Sequence, residues 1–431
     1  MRRDDNTHTQ ANEGSAGRGG LLLYLACAVG IATPLFLYFV IQHRAFAFVD
    51  TGIDSFNFYY PIQIAQARQL RHLHDLTWSF ELGLGGYLGL PINPIRLLFA
   101  ALPDSWQLGA RLPIYFLRIV LSGAFFYGYL RRIRFDPRIA VIGALAFAYS
   151  SYAVVNGQWD SEGLVILQFA AYLFFLESYL CGTNPWFAGG AGVTLGAGSI
   201  FYPFTFALLS ALYVVARPVF LTRCDSAYVP ALVKFCCWTA LGFLLTAFIQ
   251  VPNLLYFLDS PRVTGGHSVF SALFRHAWTL NSGNIVNAEI AGLFGKNLLG
   301  VASAYRGYSN WFEAPGFYVG MLLLLCIPQL FGPSSKPREK LLGICGVVLF
   351  VAYVLWPAMR YAVYGFGHSG FRLSTLWVSA GLLVLGLGGL RRALQSGTWR
   401  VGLVIGAAVI LVAVLAVAYN VPDAIRVQRA A

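Results

Sequence analysis

Charged side chains are scarce in this chain. They make up 11% of its 431 residues, and only 18 residues are Asp or Glu. A soluble globular domain carries roughly 25% charged residues, so most of this surface faces something other than water. A mean hydropathy of +0.64 agrees with this. The scarcity of charge excludes an ordinary soluble domain and predicts an all-α polytopic membrane protein.

Several functional signatures are also missing. The seven Cys are scattered, and no Cys-x-x-Cys pairs with a second Cys or His pair, so a zinc site is not supported. No nucleotide-binding signature appears, which disfavours a nucleotide-sugar donor. No clear internal repeat appears, which counts against a transporter. For cofactors, the sequence leaves open either none or a divalent cation, and it identifies no metal ligand.

Basic residues outnumber acidic ones, but their positions do not indicate a nucleic-acid partner. The net charge of +12 comes largely from Lys and Arg in short segments between apolar runs. Such segments lie on the cytoplasmic side of a membrane protein. The densest covers residues 131–138. Together with Arg2, Arg3 and Arg18, it predicts a cytoplasmic N-terminus.

Apolar runs of about 20 residues predict the membrane spans. The first run, 21–42, follows a polar segment, 1–20, for which the composition predicts disorder. The run is too long for the core of a signal peptide, which favours a retained helix. The multi-pass region, 21–420, contains about 11 predicted spans. A short tail, 421–431, is predicted outside.

Two long segments, 43–108 and 259–312, are predicted on the outer side. The first contains an amphipathic pattern over 56–76, which predicts a helix lying in the membrane interface. It also contains an apolar stretch, 88–102, that two prolines interrupt. This stretch is expected to be interfacial or re-entrant rather than spanning.

Carboxylates collect on the same predicted outer side. Asp50 and Asp54 lie where the first span ends, and Asp160 and Glu162 lie in another outer loop. The basic residues alone set the topology, so this grouping of acids is an independent observation. The four carboxylates are either solvated loop charges or part of a reaction site.

Short motifs follow one another along the chain in a consistent order. They are Asp50 to Pro61, Trp78 to Gly86, Ile92 to Ile95, Ala148 to Tyr152 with Trp159-Asp160, and Phe371-Arg372. In this order the chain resembles the YfhO-type bacterial membrane proteins of the glycosyltransferase-C (GT-C) superfamily, up to about residue 390. The pair Phe371-Arg372 is reversed relative to the family's Arg-Phe.

The resemblance implies a GT-C-like bundle in the cytoplasmic membrane, with the first outer loop carrying interfacial helices. It implies transfer of a sugar from a polyprenyl-phosphate donor to an envelope glycan or glycolipid on the outer face. It also implies that a carboxylate in the first outer loop is the base, or a metal ligand in some branches. Asp50 is the expected base, because it is closest to the first span, and Asp54 is the alternative.

Further side chains are candidates for substrate binding. Arginine suits phosphate, because its planar fork offers paired donors, and an aromatic ring can stack on a sugar. The candidates are Tyr59, Tyr60, Trp159, Asp160, Glu162, Arg360, His368 and Arg372. The same residues also fit an interfacial aromatic belt, snorkelling arginines and solvated turns. A transporter or flippase, or a non-catalytic scaffold of polysaccharide assembly, is the alternative function.

Overall fold

The computed structural model describes residues 4–44, 46, 55–72, 80, 94–198, 201–220, 228–259, 269–301, 304–308, 311–333 and 335–419. Every regular element within these ranges is a helix. The predicted all-α class is therefore confirmed for the described ranges. Asp50 and Asp54 lie outside them.

The described ranges contain eighteen α-helices, numbered in chain order. They are α1 Asp4–Ile41, α2 Tyr60–His72, α3 Pro94–Ala100, α4 Asp104–Arg132, α5 Pro137–Ala148, α6 Ser151–Val155, α7 Asp160–Gly182, α8 Pro185–Gly196, α9 Phe201–Phe220, α10 Tyr228–Leu244, α11 Ala247–Leu258, α12 Val269–His276, α13 Gly283–Gly292, α14 Met321–Cys326, α15 Pro337–Leu355, α16 Pro357–Val363, α17 Arg372–Ser396 and α18 Val401–Tyr419. Short turns of other helix types cover Ser55–Tyr59, Asn156–Gln158 and Ile327–Phe331.

Four helices in the described ranges are long and apolar enough to cross a membrane. They cover Gly17–Ile41, Asp104–Arg132, Glu162–Gly182 and Arg372–Ser396. The number rises to 7 if each of three bent helix pairs is one span. These helices support a membrane-embedded protein. The predicted count of about 11 spans stays a prediction.

The bends divide runs that look continuous in sequence. The pair α15 and α16 bends by 95° and the pair α10 and α11 by 82°. Pro357 opens α16 and helps to explain the first bend, because proline fits the first turn of a helix but has no N–H to continue the preceding one. Hydropathy alone reads such a pair as one straight span.

The N-terminal helix extends further than the sequence predicts. α1 begins at Asp4, so most of the segment expected to be disordered is helical. A formed helix adds one hydrogen bond for each residue that joins it, and this favours extension from the apolar part. The Tyr24 hydroxyl donates to the carbonyl of Val120 at 2.9 Å and anchors α1 to α4.

Close packing of glycines joins two of the central helices. A Cβ on Gly192 of α8 would lie 2.1 Å from the carbonyl oxygen of Thr239 on α10. A Cβ on Gly242 of α10 would lie 2.3 Å from the carbonyl oxygen of Gly189. Small residues that let two backbones touch are typical of helix pairs in membranes.

A buried ion pair ties α7 to α9. Arg217 Nε donates to Glu177 Oε2 at 2.9 Å, and its Nη2 lies 2.8 Å from Oε1. The Tyr213 hydroxyl donates to Oε2 of the same carboxylate at 2.6 Å. Both charged side chains are buried, and this two-point geometry compensates for part of the desolvation cost.

Candidate functional site

Charged side chains from three parts of the chain meet at the N-terminal ends of α7 and α17. Glu162 lies in the first turn of α7, and Arg372 is the first residue of α17. Lys296 and Glu313 come from the segment between α13 and α14. We call these four residues the ionic cluster.

Glu162 is the most enclosed carboxylate of the cluster, with 4% of its surface exposed. It accepts a hydrogen bond from the Tyr152 hydroxyl, and its Oε1 lies 3.9 Å from Arg372 Nη1. The first turn of a helix favours negative charge, because the free N–H groups there carry partial positive charge. Glu162 is therefore held by a helix end, a hydroxyl and a cation.

Arg372 is fixed from several sides. Its Nε donates to Glu313 Oε1 at 2.7 Å, and its Nη2 donates to the same oxygen. The guanidinium lies over the Trp159 ring, 4.1 Å from the ring centre. Two carboxylates and an indole face hold the cation in place, so it needs little reordering to meet an anion.

Lys296 is buried beside these charges. Its ammonium donates to Asn156 Oδ1 at 2.8 Å and to the carbonyl of Phe312 at 2.7 Å. Burial lowers the pKa of Lys296 to about 7, although the carboxylates of Glu313 and Glu162 act in the opposite direction. A lysine that titrates near neutral pH can accept or donate a proton.

Aromatic side chains flank the cluster. The Trp159 ring lies 3.9 Å from the Phe312 ring and 5.4 Å from the Tyr59 ring, both in edge-to-face contact. Two of the aromatic candidates, Tyr59 and Trp159, therefore come together beside Arg372. Tyr60 faces elsewhere, because its ring lies beneath the guanidinium of Arg111 at 5.8 Å.

His368 borders the cluster through Gly370. The N–H of Gly370 donates to His368 Nδ1 at 2.7 Å. A Cβ on Gly370 would lie 2.3 Å from Glu313 Oε2 and 2.4 Å from the His368 ring, so the absence of a side chain there lets the two groups approach.

Arg360 lies behind the cluster rather than in it. It is fully buried, and its guanidinium stacks on the Phe371 ring at 4.1 Å. Its Nη1 lies 3.6 Å from Oε1 of the carboxyl group of Glu289. Burial raises the pKa of Glu289 to about 9, while Arg360 opposes that rise. Arg360 therefore supports the residue that precedes Arg372.

The remaining candidates are only partly described. Asp160 opens α7, two residues before Glu162, but its side chain is outside the described part of the structure. Asp50 and Asp54 lie outside the described residues altogether. Their roles stay predictions. Where the structure describes the chain, no three His, Cys, Asp or Glu side chains are grouped to hold a metal ion.

Sequence reasoning missed part of this site. The sequence does not select Glu313, Tyr152 or Asn156 as site residues. A usable signal does exist for Glu313, because it is an isolated acid directly after two aromatic residues, Trp311 and Phe312. No protein-family model, curated protein or solved structure matches this chain, so its function is argued from the site.

Proposed function

We propose that the protein is a membrane glycosyltransferase of the GT-C type. It moves a sugar from a polyprenyl-phosphate donor to an envelope glycan or glycolipid at the outer face of the cytoplasmic membrane. The meeting of Trp159, Glu162 and Arg372 at one end of the bundle carries this proposal. The sequence indicates these residues separately, for sugar stacking, acid chemistry and phosphate binding.

The reaction needs groups that such a site can supply. A base takes the proton of the acceptor hydroxyl, the hydroxyl oxygen bonds to the anomeric carbon, and the bond from that carbon to the phosphate oxygen breaks. The phosphate leaves with the electron pair. General-base catalysis contributes about 10²–10⁴-fold. Asp50 or Asp54 is the proposed base, and Arg372 is a cation for the departing phosphate.

The neighbouring side chains set the charge of the site. Glu162 and Glu313 hold Arg372, and Tyr59 and Trp159 supply aromatic surface for a sugar ring. In this proposal the bundle has about 11 spans and a cytoplasmic N-terminus. The ionic cluster then lies at the outer membrane surface, within reach of the headgroup of a lipid-linked donor.

The test is sugar transfer in proteoliposomes that contain the full-length protein and radiolabelled polyprenyl-phosphate sugars. Asp50→Asn, Asp54→Asn and Glu162→Gln are compared with the wild type at equal amounts of folded protein. The control is Asp136→Asn, because Asp136 caps α5 by accepting from the N–H of Arg138 and asparagine can keep this cap. One of the two first-loop variants is expected to lose about 10²-fold or more.

The proposal fails if folded wild-type protein transfers none of the sugars. It also fails if the first-loop variants and Glu162→Gln all transfer as well as Asp136→Asn does. In the latter case, the carboxylates that motivated the proposal take no part in the reaction.

A second candidate function is transport of a lipid-linked or polar substrate. Bent helices and buried ion pairs at membrane depth are typical of transporters. The described ranges contain three bent pairs, and they bury Glu177 with Arg217 and Glu289 with Arg360. The same proteoliposomes discriminate between the functions, because a flippase moves the labelled lipid between leaflets without changing the lipid.

A further inference from the structure

A positively charged face covers the end of the bundle opposite the ionic cluster. The cluster lies at the start of α7, whereas Cys181, near the end of α7, has its Sγ 4.0 Å from the carbonyl oxygen of Arg132. At 1.5 Å per residue, α7 separates these two ends by about 30 Å. We call the face at the second end the basic face, and its residues are Arg18, Arg134, Arg138, Lys336, Arg338 and Lys340.

Three helices join at one edge of the basic face. The Tyr127 hydroxyl of α4 donates to the carbonyl of Gly17 in α1 at 2.9 Å. A Cβ on Gly20 would lie 3.3 Å from the Cβ of Pro137, the first residue of α5. These contacts bring the basic residues of α1 and α5 to the same edge.

The other edge is joined through Arg391, near the end of α17. Its guanidinium lies over the Phe135 ring, 4.9 Å from the ring centre. Its Nη2 lies 3.7 Å from Oε1 of Glu339 in α15, and Arg392 donates to the same oxygen. The turn that contains Arg134 and the first turn of α15 therefore border the same surface.

The basic face is not neutralised by the acids of its own segments. It comes from three segments of the sequence, 17–20, 131–138 and 336–340, whose only acids are Asp136 and Glu339. Asp136 accepts a hydrogen bond from a backbone N–H in the first turn of α5 at 2.9 Å. Glu339 is held by arginine side chains of α17. Within the described part of the chain, no residue of the basic face forms an ion pair, so its charge is available to a partner.

Exposed aliphatic side chains lie one turn deeper on the same helices. Residues four apart in a helix share one face and are about 6 Å apart along its axis. The pairs of a basic residue and an exposed aliphatic residue are Arg18 with Leu22 in α1, Arg138 with Ile142 in α5 and Lys340 with Ile344 in α15. Each helix thus presents charge at the end of the bundle and hydrocarbon beneath it. This order matches the headgroup and the acyl chains of a phospholipid.

Two exposed tryptophans lie at the same end of the bundle. Trp186, in the first turn of α8, is 85% exposed, and Trp399, three residues after the end of α17, is 43% exposed. Phe187, next to Trp186, lies beneath the guanidinium of Arg132 at 5.7 Å, beside the end of α4. Tryptophan is enriched at the level of the lipid headgroups. This position favours a lipid partner over a soluble one.

We propose that the basic face binds the headgroups of anionic phospholipids in the leaflet at this end of the bundle. The sequence predicts that this leaflet is the cytoplasmic one. A guanidinium donates paired hydrogen bonds to phosphate oxygens, and an ammonium adds a compact positive charge. A zwitterionic lipid binds less tightly, because its own cation is repelled. Each basic residue near an anionic membrane surface contributes about fivefold in affinity.

Lipid binding is tested by native mass spectrometry on the full-length protein in detergent. The probes are phosphatidylglycerol, which is anionic, and phosphatidylcholine with the same acyl chains, which is zwitterionic. The variant combines Arg134→Gln with Arg138→Gln, because both side chains are exposed and their loss should leave the fold intact. The control combines Arg275→Gln with Arg306→Gln, which removes two exposed arginines outside the basic face.

The wild type is expected to bind phosphatidylglycerol about tenfold or more tightly than phosphatidylcholine. The variant with Arg134→Gln and Arg138→Gln should lose about tenfold or more of the affinity for phosphatidylglycerol and keep the affinity for phosphatidylcholine. The control should bind both lipids as the wild type does. A higher concentration of ammonium acetate should weaken the binding of phosphatidylglycerol alone, because salt screens exposed charges.

The proposal is overturned if the wild type binds both lipids equally, if the double variant keeps the preference, or if the control loses it to the same extent. A soluble acidic partner is tested with poly-glutamate in the same assay. If poly-glutamate binds through Arg134 and Arg138 and phosphatidylglycerol does not, the basic face is a docking surface for an acidic protein and the lipid proposal is wrong. None of these measurements involves sugar transfer, so their outcome is independent of the proposed function.

Discussion

The carboxyl group of Glu289 and the guanidinium of Arg360 face each other at 3.6 Å inside the bundle. Both side chains are fully buried. In the described structure neither carboxylate oxygen accepts a hydrogen bond, and none of the guanidinium nitrogens donates one. A buried pair with so few hydrogen bonds recovers little of its desolvation cost, and this gives its titration a measurable effect on stability.

Glu289 should make the protein less stable as the pH rises. The pKa of this carboxyl is raised from 4.5 to about 9, so in this window the folded protein holds a proton that the unfolded chain has lost. The free energy of unfolding therefore falls with rising pH. Glu289→Gln should flatten this slope. The measurement is the unfolding midpoint from pH 5 to pH 9, with Asp136→Asn as the control, and equal slopes for all three proteins would refute the assignment.

Lys296 should act in the opposite direction. Its pKa is lowered from 10.5 to about 7, so in this window the unfolded chain holds a proton that the folded protein has released. The free energy of unfolding therefore rises with pH from about 7 to 10.5, and Lys296→Met should lose that rise. Exposed Lys234→Met is the control.

The pH windows of Glu289 and Lys296 overlap between about pH 7 and pH 9. In this range their opposite effects on the free energy of unfolding partly cancel in the wild type. The variant with both Glu289→Gln and Lys296→Met should show the flattest profile of the set. A profile as steep as that of the wild type would mean that other groups govern the pH dependence.

The effects of substitutions at Glu177 and Arg217 on the free energy of unfolding should be strongly coupled. Removing one partner leaves the other charged and buried, so Glu177→Gln or Arg217→Gln should cost about 3–5 kcal/mol. Replacing both with Met should recover much of that loss, because an apolar pair of similar volume needs no solvation. A double-mutant cycle in the free energy of unfolding measures the coupling. Additive losses would contradict it.

The contact between α8 and α10 should tolerate no side chain at Gly192. Gly192→Ala places a methyl group against the backbone of Thr239 and should cost about 1–3 kcal/mol. Gly189→Ala is the matched control on the same helix, because its Cβ meets nothing within 4 Å. The control should be neutral or gain up to about 1 kcal/mol from helix propensity. Equal effects of the two changes would argue against this close packing.

The helical class was predictable from the sequence, because a chain with scarce charge and long apolar runs can bury its backbone polar groups in lipid only as helices or a closed barrel. The sequence was a weaker guide to where spans bend or end. A run such as Pro337–Val363 reads as continuous in hydropathy, yet it changes direction by 95° at Trp356. The direction of the bend at such a proline depends on how the two helices pack against their neighbours.

The candidate site was predicted in part. Glu162 and Arg372 could be identified because charged side chains are scarce in this chain, and Trp159 because an aromatic ring can stack on a sugar. Nothing in the local sequence shows that the ammonium of Lys296 reaches Asn156. That contact joins distant parts of the chain, and single-sequence patterns carry no information on such pairings. The burial that lowers the pKa of Lys296 could not be predicted from the sequence either.

The contrast between α1 and α4 has a consequence for how the chain enters a membrane. Of the four helices in the described ranges that are long and apolar enough to cross a membrane, Gly17–Ile41 is the most apolar and Asp104–Arg132 the least. Each arginine at the centre of a span raises the insertion free energy by about 2.5–3.5 kcal/mol. The first helix can therefore be stable in the membrane during synthesis without a partner helix. α4 is expected to leave the translocon together with a helix that covers Arg111 and Arg118, because both side chains are buried in the folded protein.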